Sequence, residues 1–372
     1  MTQSKLNAAV MTVDKIVNAL SDAYVGILDK GLPAKTFPSV MLWGAPGVGK
    51  SQAVRQIAAE IGARTGKRVE VTDVRLLLFN PIDLRGIPTA NDKKTEAVWL
   101  RPQIFKMDGS ENVVNLLFLD EISAAPPSVQ AAAYQIALDR TVGEHKLPDN
   151  CFVLAAGNRL TDKSVAYKMP KALANRLMHV EVEPNFDSWK KWAIRTGIND
   201  KVVGFLSFRR NYLLDEDPQS ETLAYPTPRS WEMVSNVLNY VSEDFSVAYD
   251  MVAGLVGSGV ATEFRTYLKI YATLPDPAEI FKGREPACPR TTDALYALVE
   301  AMTAYAREHK TDYTAVNYSI RYADRYFSPD FAAVLLRNYA YLDKDYVKRL
   351  LQMDAYRRWM TNHGKLLNGA LY

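Results

Sequence analysis

The stretch GAPGVGKS occupies residues 44–51 and decides how the first half of the chain is interpreted. It lies between SVMLW (39–43), typical of a short buried strand, and SQAVRQIAAEIGAR (51–64), whose apolar spacing predicts an amphipathic helix. Glycines let backbone N–H groups fold around phosphates, Lys50 supplies a cation, and the Ser51 hydroxyl can ligate Mg²⁺. The predicted contacts of this phosphate-binding P-loop are Gly44, Ala45, Pro46, Gly47, Val48, Gly49, Lys50, Ser51 and Gln52.

A second motif complements the loop. The apolar run at 115–119 predicts a strand that leads directly into Asp120 and Glu121. Asp120 is placed to hold Mg²⁺ together with Ser51, and Glu121 is placed to orient or deprotonate an attacking water. The alternative for Glu121 is a cap on the following turn. Together the two motifs predict a nucleoside triphosphatase.

Three further polar residues are candidates for the same site. Asn158 follows the predicted strand FVLAA (152–156), where its carboxamide could position water near the γ-phosphate; turn chemistry after Gly157 is the alternative. Arg176 precedes a predicted strand and Arg229 starts a predicted helix, and neither has an evident carboxylate partner at helical spacing. At about 4 Å and an effective dielectric of ~20, a guanidinium stabilises one phosphate charge by about 4 kcal/mol, against ~0 to 1 kcal/mol for an exposed salt bridge. We therefore predict that both arginines act on a triphosphate, with solvated helix arginines as the alternative.

The composition limits the class of protein. A chain of 372 residues predicts two or three units with their own cores. The 45 Lys and Arg against 42 Asp and Glu leave a formal charge of +3, too small to predict nucleic-acid or membrane binding. Cys151 and Cys288 have no partner at metal-ligand spacing, which predicts unpaired thiols in a reducing compartment. Without a visible secretory signal or a run near the ~20 apolar residues of a membrane span, the expectation is a soluble cytoplasmic protein.

The order of predicted elements indicates an α/β first half and a helical second half. Further strands are predicted at 68–74 and 180–182, a hairpin within 139–150, and helices at 13–28, 127–138 and 171–177. Short apolar strands alternating with helices favour a parallel sheet covered on both faces. From residue 186 onward helical patterns dominate, at 188–195, 201–214, 228–241, 249–270, 292–308, 330–341 and 344–360, with a linker signal at 274–277. The predicted domains are residues 1–185, 186–273 and 274–372.

The tract at 81–105 is too rich in proline and turn residues for simple core. It is interpreted either as a surface excursion or as an insertion that faces a substrate or a neighbouring subunit.

The ordered set of P-loop, Asp120-Glu121 strand, Asn158, Arg176 and Arg229 resembles that of an AAA+ ATPase, where these parts are Walker A, Walker B, sensor 1, arginine finger and sensor 2. Within that superfamily the chain is most similar to the MoxR family, in PIDLRGIP (81–88), in DEISAAPPSVQ (120–130) and in residues 170–177. The resemblance implies a P-loop parallel sheet, the AAA+ core, followed by an all-helical lid domain and a helical C-terminal extension. It also implies ATP and Mg²⁺ as cofactors, and a ring, usually a hexamer, in which Arg176 acts in trans on a neighbour's nucleotide.

The same resemblance implies a function, Mg²⁺-dependent ATP hydrolysis coupled to chaperone-like remodelling of a protein partner. It suggests a protein with a von Willebrand factor A domain as that partner. Two alternatives are a DNA- or RNA-dependent motor or loader, and a nucleotide-switched scaffold with little turnover. The mild hint of the motor is Arg357-Arg358-Trp359, which could equally be a helix surface.

The chain departs from the family at two positions near the site. The family usually has Asn-Arg after Asp-Glu-Ile, where this chain has Ser123-Ala124, and it usually has proline after sensor 1, where this chain has Arg159. These departures concern family-typical contacts around the subunit interface and leave the hydrolytic set intact. The Tyr and Arg content of residues 275–372 fits core packing and solvated faces or, alternatively, a partner-docking surface.

Overall fold

The computed structural model describes residues 8–159, 162, 167, 169, 171–215, 222–241 and 245–367, the side chains of 172 and 173 excepted. The chain divides into two compact units, Met1–Asn185 and Phe186–Tyr372. The first is α/β and the second is helical, so the predicted fold class is confirmed. The three predicted domain ranges, with their further boundary between residues 273 and 274, stay a prediction.

A six-stranded parallel sheet forms the centre of the first unit, in the order β1-β10-β2-β9-β6-β3. The strands of this unit are β1 (Ala9–Thr12), β2 (Val40–Trp43), β3 (Arg68–Arg75), β4 (Ile87–Ala90), β5 (Ala97–Leu100), β6 (Val113–Asp120), β7 (Thr141–Val142), β8 (His145–Lys146), β9 (Cys151–Gly157) and β10 (Met178–Glu183). The central strands β2, β6 and β9 are continuous apolar runs and are buried almost throughout, as expected of strands covered on both faces. The sequence did not predict β1, a four-residue edge strand with no apolar alternation.

Helices cover the sheet. They are α1 (Val13–Asp29), α2 (Lys50–Thr65), α3 (Pro81–Arg85), α4 (Pro127–Asp139) and α5 (Lys171–Ala174). The helices predicted at 13–28, 51–64 and 127–138 are confirmed. The one predicted at 171–177 is too long, because a turn closed by the Leu177 N–H and the Ala174 carbonyl oxygen (3.2 Å) follows α5; Pro170 of that segment lies outside the described residues.

The tract at 81–105 contains α3 and an antiparallel hairpin, β4–β5, at the surface of the first unit. Its apolar side chains include Ile87 and Leu100, which are 60% and 57% exposed. The second hairpin, β7–β8, was predicted, and its His145 Nε2 lies 2.7 Å from the Trp99 carbonyl oxygen in β5. The larger hairpin is therefore attached at its base and exposes apolar side chains beyond it.

The second unit is helical throughout its described residues. Its helices are α6 (Phe186–Thr196), α7 (Asp200–Phe208), α8 (Pro228–Asn236), α9 (Phe245–Val256), α10 (Ser258–Tyr271), α11 (Pro277–Phe281), α12 (Thr292–Glu308), α13 (Tyr313–Tyr326), α14 (Pro329–Ala340), α15 (Tyr346–Leu350) and α16 (Asp354–His363). The predicted segment 249–270 is divided into α9 and α10 at Gly257, whose φ of 85° a non-glycine residue would adopt only under strain. The sequence did not predict α13, although Asp312 caps its start by accepting from the Ala315 N–H (3.0 Å).

Two apolar clusters stabilise this unit, one mainly within α6–α10 and one mainly within α11–α16. A buried ion pair, Lys190 Nζ to Glu300 Oε1 at 2.6 Å, joins α6 to α12, and Asn338 Nδ2 of α14 also donates to Glu300. Removing one partner of such a pair would leave an uncompensated buried charge, at a cost of about 3–5 kcal/mol.

The hint of nucleic-acid binding at Arg357-Arg358-Trp359 is wrong. Trp359 is 1% exposed and belongs to the second apolar cluster, so its ring cannot stack on a base, while Arg357 is paired with Asp354 on the same helix. Core packing, the other interpretation of these aromatic residues, holds for Tyr339, Tyr346 and Tyr356 as well.

Neither cysteine forms a disulfide, as predicted. Burial raises the pKa of the Cys151 thiol to about 12, so it stays protonated at neutral pH. Among the described helices, none combines the length and the apolar character needed to cross a bilayer.

Candidate active site

The carboxyl ends of three neighbouring strands bring the predicted site residues together. Trp43 at the end of β2 pairs with Gly157 of β9, and Leu119 of β6 pairs with Ala155. The P-loop after β2, Asn158 after β9 and Asp120 at the end of β6 therefore lie at one edge of the sheet. This edge is where open parallel sheets bind ligands.

The backbone of the P-loop requires glycine at two positions. Gly47 and Gly49 have φ angles of 78° and 106°, in the left-handed region. Gly49 leads into α2, whose first residue is Lys50. Because the first N–H groups of a helix have no intrahelical acceptor and its N-terminus carries a partial positive charge, the loop is suited to an anion.

The Lys50 ammonium is held at the mouth of this loop. Its Nζ donates to the carbonyl oxygens of Gly44 (2.6 Å) and Ala45 (3.0 Å) and to Asn158 Oδ1 (3.0 Å). The cation and the strand-end carboxamide, predicted separately from the sequence, are thus in direct contact. Of the other loop residues, Val48 is buried, and Pro46 and Gln52 are partly exposed.

Ser51 and Asp120 form the second contact of the site. Ser51 Oγ donates to Asp120 Oδ2 at 3.0 Å. Two neighbouring ligands of an octahedral Mg²⁺, each at about 2.0–2.1 Å, lie about 2.9 Å apart. Hydroxyl and carboxylate oxygens are also the ligands that Mg²⁺ prefers, so this pair fits the ion.

Glu121 has an unusual backbone conformation directly after Asp120. Its φ of 58° lies in the left-handed region, which costs a non-glycine residue about 1–2 kcal/mol. The conformation is held by hydrogen bonds from the Glu121 N–H to Asp120 Oδ1 (2.9 Å) and from the Ile122 N–H to the Ala156 carbonyl oxygen (2.9 Å). Its side chain is partly exposed and bonds to none of the described residues, so the carboxylate is available to accept a proton from water.

Ser123 supports Asn158, a role that sequence reasoning missed. The Asn158 N–H donates to Ser123 Oγ at 2.8 Å, and Ser123 is 2% exposed. A Cβ on Gly157 would lie 2.8 Å from the same oxygen, so glycine is required for the approach. The departure from the family at Ser123 thus has a local structural role.

Arg159, the other departure, fixes the chain that follows Asn158. Its guanidinium bonds to Asp162 Oδ1 (2.8 Å) and to Glu181 Oε1 of β10 (2.6 Å). A half-buried arginine bound by two carboxylates is more strongly held than an exposed pair. The spacing of Arg159 and Asp162 was a visible signal, whereas Glu181 is distant in sequence.

Asp73 adds negative charge beside Asp120. Burial raises the pKa of the Asp73 carboxyl, the charge of Asp120 raises it further, and Arg75 and Arg55 act in the opposite direction. In the register of β3 and β6, Arg75 pairs with Asp120, so Asp73 and Asp120 lie on the same face of the sheet. The acidic edge of the site is therefore larger than the predicted pair.

The two predicted arginines are both exposed, and neither makes a hydrogen bond or ion pair with another described residue. Arg176 lies in the turn between α5 and β10, in the first unit. Arg229 lies in the first turn of α8, in the second unit, where Thr227 caps the helix. Only Lys50, Ser51, Asp120 and Asn158 are joined by direct contacts.

Comparison with known proteins agrees with this site. The model of the ATPase family associated with various cellular activities (AAA) matches residues 39–179. The chain is 28% identical over 181 residues to the chaperone MoxR1 of Mycobacterium tuberculosis, covering 46% of this chain and 42% of that protein. It is 31% identical over 143 residues to the uncharacterized protein YeaC of Bacillus subtilis, covering 37% and 40%. The chain thus spans less than half the length of these curated relatives.

Among solved structures, PCH-2 of C. elegans is similar over 80% of this chain and 69% of its own, with 12% identity and a TM-score of 0.35. At this level of similarity the alignment has no bearing on function.

The fold and the site define the class of protein: residues 39–179 form an AAA+ ATPase domain. Within this class the chain belongs to the MoxR family, as the sequence predicted.

Proposed function

We propose that this chain is a Mg²⁺-dependent ATPase that works in an oligomeric ring and couples hydrolysis to chaperone-like remodelling of a protein partner. The observation that supports it most is the contact of Lys50 with Asn158 and of Ser51 with Asp120 at one sheet edge. These are the cation, the polar strand end and the metal ligands that hydrolysis of a nucleoside triphosphate needs.

Each residue has a separate task in the proposed reaction. The P-loop N–H groups and Lys50 bind the β- and γ-phosphates, while Ser51 and Asp120 hold Mg²⁺. When bound, Mg²⁺ neutralises charge on the phosphate oxygens. Glu121 accepts a proton from a water whose oxygen bonds to the γ-phosphorus; the bond from that phosphorus to the β,γ-bridging oxygen breaks, and ADP leaves with the electron pair. Asn158 orients this water.

Arg176 is proposed to act on the nucleotide of a neighbouring subunit. Its exposure and its lack of a described partner support that role, because a guanidinium held by a carboxylate of its own chain would be less available. Arg229 is proposed as the corresponding contact from the helical unit, sensor 2. A ring, probably the hexamer usual in the family, follows from a site completed in trans.

Remodelling of a protein is supported by the relative named as a chaperone. The exposed apolar side chains of the β4–β5 hairpin suit contact with a protein segment, which is the second of the two interpretations of this tract. A partner with a von Willebrand factor A domain and a cytoplasmic location belong to the same proposal.

Mixing two inactive variants tests the ring. Arg176→Ala keeps Glu121 but offers no arginine, and Glu121→Gln keeps Arg176 but cannot activate water. In randomly mixed rings, about one quarter of the sites combine an intact Glu121 with a neighbour's Arg176, so ATP turnover should return to about that fraction of wild type. Steady-state phosphate release measures it.

The control replaces Glu121→Gln by the double variant Glu121→Gln/Arg176→Ala, whose mixture with Arg176→Ala contains no competent site. Native mass spectrometry of tagged subunits establishes that mixed rings form. If they form and turnover stays at the level of the control, Arg176 does not act in trans.

A further inference from the structure

His179 of β10 contacts the strand that leads into the P-loop. Trp43 Nε1 donates to His179 Nδ1 at 2.9 Å, and the two rings are nearly parallel, 6.1 Å apart between centroids. In the register of β10 and β2, His179 pairs with Met41, so His179 and Trp43 are diagonal neighbours on one face. Trp43 is 7% exposed and directly precedes Gly44.

The second nitrogen of the same ring contacts the chain ahead of β10. His179 Nε2 lies 2.7 Å from the carbonyl oxygen of Ala174. An indole N–H only donates, so Nδ1 must accept; a carbonyl only accepts, so Nε2 must carry the proton. The two neighbours therefore define one tautomer of a neutral ring, with both nitrogens engaged.

The anchored carbonyl belongs to the turn that contains Arg176. The Ala174 oxygen also accepts from the Leu177 N–H (3.2 Å), which closes a four-residue turn with Arg176 in its third position. The exposed arginine thus has no side-chain contact with described residues to hold it, and its position depends on the backbone of this turn.

We infer that His179 is a positioning residue that links the turn carrying Arg176 to the strand leading into the P-loop. The P-loop strand and the arginine that a subunit offers to its neighbour then move together, which gives adjacent nucleotide sites a direct mechanical connection. This inference rests on the proposed trans role of Arg176.

Two substitutions of His179 separate the hydrogen bonds from the packing. His179→Phe keeps a ring against Trp43 and removes both bonds, and should lower kcat for ATP about 10-fold or more with KM nearly unchanged, because small displacements of a catalytic group cost 10²-fold in rate. His179→Gln retains an acceptor and a donor at similar spacing and should recover most of the lost kcat. A uniform loss of folded protein would not produce this pattern.

Trp43→Phe is the second variant, in case His179→Phe does not fold. It removes the indole N–H and keeps an aromatic ring, so kcat should fall in the same direction. The double variant Trp43→Phe/His179→Phe should be no slower than His179→Phe alone, because the link is already broken.

Mixed rings show which site the link serves. His179→Phe retains its own Glu121 and P-loop, so mixing it with Glu121→Gln, a donor of correctly held Arg176, should restore turnover. The double variant Glu121→Gln/His179→Phe offers a displaced arginine and should not restore turnover when mixed with Arg176→Ala.

Three results would overturn the inference: wild-type kcat in both His179→Phe and Trp43→Phe, no recovery with His179→Gln, or a His179→Phe defect that Glu121→Gln subunits do not relieve. The mixture of Arg176→Ala with Glu121→Gln is measured alongside. If that mixture also stays inactive, the trans role of Arg176 fails; if it is active, only the link through His179 fails.

Discussion

The Glu121→Gln variant is expected to bind ATP like the wild type and to hydrolyse it about 10²-fold or more slowly. Glutamine has the shape of glutamate but cannot accept a proton at neutral pH. The Glu121 carboxylate has no bond to a described residue that the substitution would break, and its backbone is held by Ile122 and Asp120 rather than by its side chain. Turnover should therefore fall without a comparable loss of stability.

Single-turnover phosphate release, with nucleotide binding measured on the same preparation, separates the two effects. Glu111→Gln is a matched control, because this exposed glutamate precedes the opposite end of β6, and eight residues of strand span about 26 Å. It should hydrolyse ATP at the wild-type rate. Unchanged turnover in Glu121→Gln would remove this residue from catalysis.

The second large effect is expected for Lys50→Ala, which should weaken ATP binding about 10-fold or more. The substitution removes the cation from the mouth of the P-loop and leaves Asn158 Oδ1 without its donor. At about 4 Å and an effective dielectric of ~20, the lost attraction to one phosphate charge is about 4 kcal/mol, and solvent screening at this partly exposed site reduces it.

Isothermal titration calorimetry with ATP measures this change. Lys30→Ala is the control: Lys30 is also an exposed cation of the first unit, but it follows the far end of α1, about 25 Å along the helix from the residue beside Gly49. Equal affinity in Lys50→Ala and the wild type would contradict the P-loop assignment.

Most of the site could be predicted because its residues occur in short continuous motifs at strand ends. Apolar runs at 39–43, 115–119 and 152–156 predict buried strands, and the polar residue that follows each one necessarily lies at the carboxyl edge of a parallel sheet. The contacts of Lys50 with Asn158 and of Ser51 with Asp120 agree with this reasoning.

The supporting contacts could not be predicted, because their partners are distant in sequence. Trp43 and His179 are 136 residues apart, and Ser123 and Asn158 are 35 apart. A single histidine in an apolar strand has no periodicity that would reveal a tautomer or an acceptor. The departures from the family at Ser123 and Arg159 indicated where to look, although not what these residues contact.

The errors in the second half of the chain have a common cause. Tyrosine and arginine occur on both buried and exposed faces of amphipathic helices, so their periodicity is ambiguous. In α13, Val316, Ile320 and Ala323 are buried at helical spacing while tyrosines lie on both faces, and this helix was missed. The same ambiguity made Trp359 resemble a surface residue next to Arg357 and Arg358.

The measurement that tests the central claim most directly is the Mg²⁺ dependence of ATP binding in wild type and in Asp120→Asn. If the P-loop and the strand-end carboxylates converge on the same phosphate, Mg²⁺ should strengthen ATP binding in the wild type relative to EDTA, and most of that gain should disappear in Asp120→Asn. An equal gain in both proteins, or a wild-type chain that binds no ATP with or without Mg²⁺, would contradict the account.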